Sequence, residues 1–473
     1  MLFARVAGVV FVAACAAGML SLARGYVDPH DGSCIAVLAR NLGETGRYGY
    51  AREGRFDLWP VEATTGPTLV LPIALAYRMV GPGPYVANVT SALLALLLLA
   101  ALWHAMLPKL TSVVAVLSSL VALVLVVGIT IKPSAAWVVP RGEVVAGSLL
   151  VLATLVAFAD GSTPDRPRRL ASGLLIGLGL ASKLLLLLPG AALLAVLLWR
   201  DVRSVGWVRA LAAAVVLAAA AALVLLAVEV GKLASFGDWA SYVARWREFV
   251  EFFRVAGSGL RDGPGALSER RTLAYRFGVV GENLGVFGAV LALALLVWPV
   301  LAWRARRGRL SSDGWIALAL GAETLAVAVW WLWRADIPWL RYLFFACFTA
   351  PLFVHFVVLE AGHHGTRGAR LALGAWMVLL AVAWIASPAT PSWPGPSASW
   401  SARADAVVAA ANTVRRIAEE DPEARFWGAG WWQHWDVQSV SPLALGNVLA
   451  DSAADEMRAG HEYLLTSDYF NWE

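Results

Sequence analysis

Apolar stretches long enough to cross a lipid bilayer follow one another along most of this chain, and no other feature narrows its possible folds as much. A hydrocarbon core ~30 Å thick takes roughly 17–25 helical residues. Runs approaching or reaching that length fall near residues 4–22, 66–82, 86–107, 111–130, 144–159, 170–182, 184–199, 208–229, 284–303, 315–333, 339–358 and 369–387, twelve in all. In hydrocarbon each backbone N–H and C=O must be satisfied within the segment or by a closed neighbour, so runs of this kind fold as helices. The composition agrees, with 59% hydrophobic and 15% charged residues. A water-soluble domain carries about a quarter charged residues. The first run, from about Phe3 to Leu22, lacks a small-x-small cleavage site before Tyr26 and reads as a retained signal anchor.

The arginines set the sidedness. Lys and Arg in short loops stay cytoplasmic. Arg166-Pro167-Arg168-Arg169, Arg200 with Arg203, Arg304 to Arg309, and Arg367 with Arg370 are each separated by two runs, so all four clusters belong on one face. Working back from Arg166, the loop 131–143 lies outside, Pro108-Lys109 inside, and the run 86–107 starts outside. Arg5 places the loop 24–64 outside as well. Both ends of 66–82 then share a face. That segment carries Pro67, Pro72 and Arg78 and ends in Gly81-Pro82-Gly83-Pro84, poor material for a clean span. It is expected to lie at the outer leaflet as a juxtamembrane helix. The count becomes eleven crossings, with the N-terminus cytoplasmic and the C-terminus extracytoplasmic. Residues 170–199 are read as two short spans meeting at Lys183 near the outer face.

The net charge of +5 needs no nucleic acid, since the arginines lie in orienting loops. The cysteines Cys15, Cys34 and Cys347 imply no disulfide framework. Many of the 23 tryptophans sit at the ends of apolar runs, where an amphipathic ring suits the interface. No internal repeat is evident, which counts against a transporter built from inverted repeats.

The outer segments hold most of the chemistry. The loop Arg24–Thr65 contains a short amphipathic helix, with Asp31 near its start and Ile35, Leu38 and Leu42 at helical spacing. Asp31 suits either a helix cap or a general base placed at the membrane surface. Asp28 stands three residues before it, and His30 lies between them as a solvated or metal-ligating side chain. The segment 230–283 combines an aromatic and charged helix (Trp239, Tyr242, Arg245, Trp246, Phe249) with the Gly-Pro-rich stretch Gly257–Gly265, as an interfacial helix or a lid. The tail 388–473 opens with a Pro/Ser/Trp linker and continues as a helix near 402–420 with strand-like pieces at 425–432 and 463–466. A small α/β extracytoplasmic domain is expected there, following a transmembrane domain over 1–387. Its Trp427, Trp431, Trp432, His434 and Trp435 suit either sugar stacking or packing on the membrane part.

Several of these elements together resemble the GT-C glycosyltransferases, most closely the protein O-mannosyltransferase and aminoarabinose lipid A transferase branch, families 39 and 83. The elements are an acidic residue after the first span, a short helix ending in Ala39-Arg40-Asn41-Leu42, a Gly46-Arg47-Tyr48, and Thr64-Thr65-Gly66-Pro67-Thr68-Leu69 leading into an apolar piece. Pro140-Arg141-Gly142-Glu143 resembles the outer Arg-x-x-acid site, Ala181-Ser182-Lys183 the Thr-Lys that approaches the lipid phosphate, and Trp339-Leu340-Arg341-Tyr342-Leu343 the Arg-Tyr-Leu element. Gly32 replaces the Glu of the branch's Asp-Glu pair, and Thr68 the second Pro of its Pro-Pro-Leu, which leaves a divalent metal ion and the acceptor type open.

The resemblance implies an all-α polytopic fold with outer-face juxtamembrane helices. It also implies an inverting transferase that moves a sugar from a polyprenyl-phosphate donor to a lipid, glycan or protein acceptor, in a bacterial inner membrane. Asp31 inherits the base position, with Asp28 as its rival or as a metal ligand. Lys183, Arg341 and Arg141 would neutralise the donor phosphate, and Glu143, Tyr342 and His434 would contact substrate. The alternative is a lipid-linked sugar flippase, exporter or non-catalytic membrane protein, for which Glu229 and Glu323 are the acidic residues within or near spans. A ligase or polymerase using lipid-diphosphate donors would share the topology.

Overall fold

The computed structural model describes residues 1–24, 31–52, 55–61, 63, 65–81, 83, 85–128, 140–159, 165–256, 272–284, 286–333, 335, 340–363, 367, 370–371, 374–375, 377–378, 409–410, 412–421, 424–428, 446–447 and 462–465. The helices are α1 Leu2–Ala23, α2 Asp31–Thr45, α3 Pro67–Val80, α4 Val86–Met106, α5 Val113–Gly128, α6 Glu143–Ala157 and α7 Arg166–Ser182. They continue with α8 Leu187–Val205, α9 Trp207–Phe236, α10 Trp239–Ala256, α11 Leu273–Leu284, α12 Val286–Arg306, α13 Ser312–Trp333 and α14 Phe344–His363. An antiparallel hairpin, β1 Gly49–Arg52 and β2 Arg55–Leu58, follows α2. Near the C-terminus, β3 Arg425–Gly428 pairs in parallel with β4 Gly446–Asn447 on one side and β5 Glu462–Leu465 on the other.

Among the described residues, six helical segments are long and apolar enough to cross a membrane: Leu2–Ala23, Val86–Lys109, Leu184–Val205, Trp207–Phe236, Ser312–Trp333 and Phe344–His363. Pro67–Val80, Val113–Gly128 and Glu143–Ala157 are shorter apolar helices. Most of the expected span 369–387, the stretch Gly257–Gly265 and most of the tail from 388 lie outside the described residues.

Helix pairing separates two ends of the bundle. In α1, Gly8 leaves room for the indole of Trp103 near the end of α4, and Phe11 sits 6.4 Å from the same ring. An early residue of one helix therefore meets a late residue of the other, so α1 and α4 are antiparallel, and α4 starts where α1 ends. The intervening α3 must begin and finish at that end. That placement is compatible with the segment that the charge count expects not to cross. At the opposite end, Lys109 pairs with Asp313 at 2.5 Å and Arg169 with Asp201 at 2.5 Å. Arg304 lies 3.5 Å from Glu360, and Arg203 donates to the Arg306 carbonyl at 2.8 Å. The basic connections thus gather on one face, away from the loop that follows α1.

The break at Lys183 has a local cause. Pro189 lacks an N–H, and its ring would clash with the carbonyl of Leu185 in a continuous helix. The chain leaves α7 through Lys183 in extended backbone (φ −151°, ψ 114°), turns once through Leu184–Leu186, and restarts so that Pro189 falls in the first turn of α8. The helix α7 then runs parallel to α9, with Gly173 and Gly177 set against the backbone carbonyls of Leu217 and Ala221. Small residues permit that approach where no hydrophobic effect drives helices together. At 1.5 Å per residue, α9 is about 45 Å long, more than a ~30 Å hydrocarbon core needs. It continues past the expected end at 229 to Phe236, with Glu229, Lys232 and Ser235 on its last turns.

Polar side chains tie the interior across helices: Thr154 donates to Glu323 at 2.7 Å, Ser118 meets His355 at 2.8 Å, and Thr324 meets Thr349 at 2.8 Å. Glu323, named above as a transport candidate, is fully buried between helices.

Two outcomes test this architecture. Gly173→Leu would drive a side chain into the Leu217 carbonyl, 2.3 Å from where a Cβ would stand. It should lower thermal stability in detergent by several degrees, equivalent to roughly 1–3 kcal/mol of overpacking. In right-side-out vesicles, Gly83→Cys should react with a membrane-impermeant maleimide, whereas Arg203→Cys should react only after permeabilisation. The three native cysteines are buried and give little background. Opposite labelling of Gly83→Cys would mean that α3 crosses.

Candidate active site

Three segments far apart in sequence are sewn together at the end of the bundle where α1 finishes. The Gly66 amide donates to the Ser182 carbonyl at 2.9 Å, and the Thr65 hydroxyl to the Arg141 carbonyl at 2.5 Å. The Ser182 hydroxyl donates to the Gly142 carbonyl at 3.0 Å, and the Thr68 hydroxyl to the Leu178 carbonyl at 2.7 Å. The helix break at Lys183 exposes the last carbonyl of α7, that of Ser182, and the Gly66 amide satisfies it. Gly142 makes the join possible. It adopts φ +81° before α6, and a Cβ there would lie 2.8 Å from Thr65 Cγ2 and 3.0 Å from Ser182 Oγ.

The seam presents an ion pair. Lys183 Nζ lies 3.2 Å from Glu143 Oε1 and donates to Thr65 Oγ1 at 3.4 Å, both charged side chains being mostly buried. Glu143 Oε2 is buried and has no hydrogen-bond partner among the described residues. Two of the charged residues expected at the site, Lys183 and Glu143, are therefore in direct contact, and Arg141 contributes its carbonyl to the same seam. One turn along α6, Gly147 packs on Phe344 and Phe348. The start of α14, which follows the Leu340–Leu343 turn, therefore adjoins the start of α6. Tyr342 packs edge-on to Trp330 at 5.7 Å and is half-buried. The side chains of Asp31 and Arg341 lie outside the described residues, as do Asp28, His30 and His434 altogether. The backbone of Asp31 opens α2.

The Ala39-Arg40-Asn41-Leu42 stretch turns out to hold the scaffold. Asn41 donates to the Gly49 carbonyl at 2.9 Å, fixing the hairpin on α2. Arg40 lies 3.6 Å from Glu44, and its burial pulls its pKa below the usual guanidinium range. Tyr48 stacks on Trp59 with centroids 3.8 Å apart and donates to the Thr65 carbonyl at 3.2 Å. Burial holds its phenol neutral, well above its ordinary pKa. These contacts make the hairpin one wall of the site.

Beside the seam runs a groove of about 410 Å³ lined almost wholly by apolar atoms. Tyr48 and Trp59 form its top, Thr68 and Leu71 of α3 one side, and Ala181 of α7 with Ala227 of α9 the other. Its lining reaches Pro67 and Ala181, so Thr65 and Lys183 stand just beyond its rim. The segment after α9, expected as an interfacial helix or lid, bridges the walls. Arg245 of α10 pairs with Asp57 of the hairpin, while Tyr242 and Trp246 donate to Glu229 at 3.0 and 2.9 Å. Lys232 also pairs with Glu229 at 2.7 Å and lies 5.5 Å over the Trp59 ring. Glu229 thus belongs to this bridge. Among the described residues no three His, Cys, Asp or Glu side chains come together to hold a metal ion.

Sequence reasoning found Lys183 and Glu143 but gave no role to Thr65, Ser182 or the α9 wall. Thr65 and Ser182 lie inside the short stretches singled out above, yet their hydroxyls act only once the segments meet. The α9 wall has no sequence signal, because Val224, Ala227 and Val228 are ordinary membrane residues.

Solved structures share this architecture. ArnT from Cupriavidus metallidurans in the apo state superposes with a TM-score of 0.56 at 17% identity, over 95% of this chain and 88% of that one. The same protein bound to undecaprenyl phosphate gives 0.55 at 16% identity, over 98% and 90%. The oligosaccharyltransferase AglB from Archaeoglobus fulgidus, in complex with an inhibitory peptide and a dolichol-phosphate, gives 0.53 at 13% identity, over 92% and 63%. No protein-family model and no curated protein sequence matches the chain. The chain thus shares the fold of ArnT and of AglB.

Gly142→Ala should disturb the seam, since the new Cβ meets both Thr65 and Ser182 in a backbone conformation that L side chains rarely adopt. A loss of roughly 1–3 kcal/mol in unfolding free energy is expected. The melting midpoint of the purified protein measures it, with Gly231→Ala, which has open space around it, as the control.

Proposed function

We propose that the chain is an inverting GT-C glycosyltransferase of a bacterial inner membrane. It would take a polyprenyl-phosphate sugar and pass the sugar to a lipid, glycan or protein acceptor on the extracytoplasmic side. The observation that carries this reading is an apolar groove ending beside a lysine at the outer end of the bundle. That arrangement suits an amphiphile with a long apolar tail and an anionic head. ArnT bound to undecaprenyl phosphate and AglB in complex with a dolichol-phosphate share the fold, which adds support. The proposed topology is eleven crossings with the N-terminus cytoplasmic, followed by a small α/β domain over 388–473 outside.

In this reading the tail lies along α3, α7 and α9, with the phosphate at Lys183. Arg341 and Arg141 add positive charge, and Tyr342 and His434 contact the sugar or the acceptor. Asp31, with Asp28 as its alternative, removes the acceptor's proton. The acceptor oxygen or nitrogen bonds to the anomeric carbon as the bond from that carbon to the phosphate oxygen breaks, and the electron pair leaves with the phosphate. The leaving group gains one negative charge, and preorganised cations are most effective against charge that develops during the reaction.

Purified protein should transfer label from at least one of a panel of radiolabelled polyprenyl-phosphate sugars. Asp31→Asn should reduce turnover by roughly 100-fold or more, the usual contribution of a general base. Lys183→Met should abolish saturation by the donor. Full activity of Asp31→Asn would remove that residue as the base. Failure to use any donor, together with movement of intact lipid-linked sugar between leaflets, would favour the flippase.

A further inference from the structure

The Lys183–Glu143 contact raises a question of charge that a phosphate-binding lysine alone would not. A lysine waiting for an anionic headgroup is expected to point into an open, electropositive site. Here its ammonium is already compensated, 3.2 Å from a carboxylate in the first turn of α6. That helix start favours an anion, because its first amides have no intrahelical acceptor and carry the positive end of the dipole. The carboxylate fills the position incompletely, since only Oε1 meets the lysine and Oε2 is buried without a partner among the described residues. Glu143 cannot move away as a rigid unit, because Gly142 before it is locked between Thr65 and Ser182. Its side chain can still swing about its own torsions.

We propose that Glu143 is a displaceable counter-anion that occupies the seat of the lipid phosphate when the site is empty. This rests on the reading of Lys183 as that seat and deepens it. Donor binding exchanges the Glu143–Lys183 pair for a phosphate–Lys183 pair, so the seat is never an uncompensated cation at the rim of an apolar groove. The exchange weakens the binding of every prenyl phosphate by the free energy of the displaced pair. The penalty is the same for donor and product, and it matters for turnover because the product carries one more negative charge than the sugar phosphodiester and would otherwise be held hardest. After transfer, Glu143 reclaims Lys183 and expels the spent carrier. Glu143 is thereby a positioning residue that speeds product release.

The test titrates geranylgeranyl phosphate, a short prenyl monophosphate, into full-length protein in nanodiscs. Glu143→Gln keeps the shape and removes the charge, and should tighten binding about tenfold, the equivalent of ~1.4 kcal/mol. Glu143→Asp should bind as wild type does. On a Lys183→Met background, Glu143→Gln should change nothing, because the charge it relieves is gone. In turnover, Glu143→Gln should lower the donor KM and strengthen inhibition by the prenyl monophosphate, a split that loss of structure would not produce. Melting midpoints of each variant identify any that fails to fold, and Glu143→Ser then provides a second uncharged variant. Unchanged or weaker binding by the folded uncharged variants, with wild-type binding still dependent on Lys183, overturns the counter-anion. Wild-type binding indifferent to Lys183→Met instead removes the phosphate seat itself, and the exchange with it.

Discussion

The hydrogen bonds joining Thr65–Gly66, Arg141–Gly142 and Ser182–Lys183 hold one end of this helical bundle in one piece. They meet a requirement that the bilayer imposes. A helix interrupted near the membrane surface leaves peptide groups bare, and those groups cost several kcal/mol each if buried unpaired. Pro189 forces the interruption, and two other chain segments repair it. The repair places a lysine, a glutamate and a threonine hydroxyl within reach of one another. The structural need and the candidate chemistry therefore come from the same break.

The surroundings follow from lengths and small residues. Because α9 exceeds the hydrocarbon thickness, its last turns stand beside the hairpin, where α10 can bind both through Glu229 and Asp57. The close parallel contact of α7 with α9, permitted by Gly173 and Gly177, sets one side of the groove. The other side comes from α3, through Thr68 and Leu71.

Much of this was legible in the sequence for definite reasons. Charge in short loops has one allowed side, so the arginines alone demoted 66–82 from a span to an outer helix, and the antiparallel pairing of α1 with α4 agrees. The split of 170–199 at Lys183 was readable because thirty residues containing Lys183 and Pro189 are too long for one span, and two spans keep the basic clusters on one face. Lys183 and Glu143 were readable as outer-face charges because a charged residue at a span end is conspicuous in an apolar chain. Their mutual contact was not. Nor was the scaffold role of Asn41, whose partner Gly49 lies close in sequence but meets it only through the packing of α2 on the hairpin.

By itself the sequence determined that this chain must be solvated by lipid, which segments run as helices, and on which end the polar loops gather. Those properties depend on composition, proline chemistry and charge, each local to a segment. Only the tertiary structure decided that residues 65, 143 and 183 share a site, that Tyr48 and Trp59 stack above a groove, and that ordinary alanines and valines of α9 form its wall. Such facts are set by which helices approach closely enough to touch, and in an apolar chain that choice rests on the fit of small surfaces that hydropathy does not distinguish.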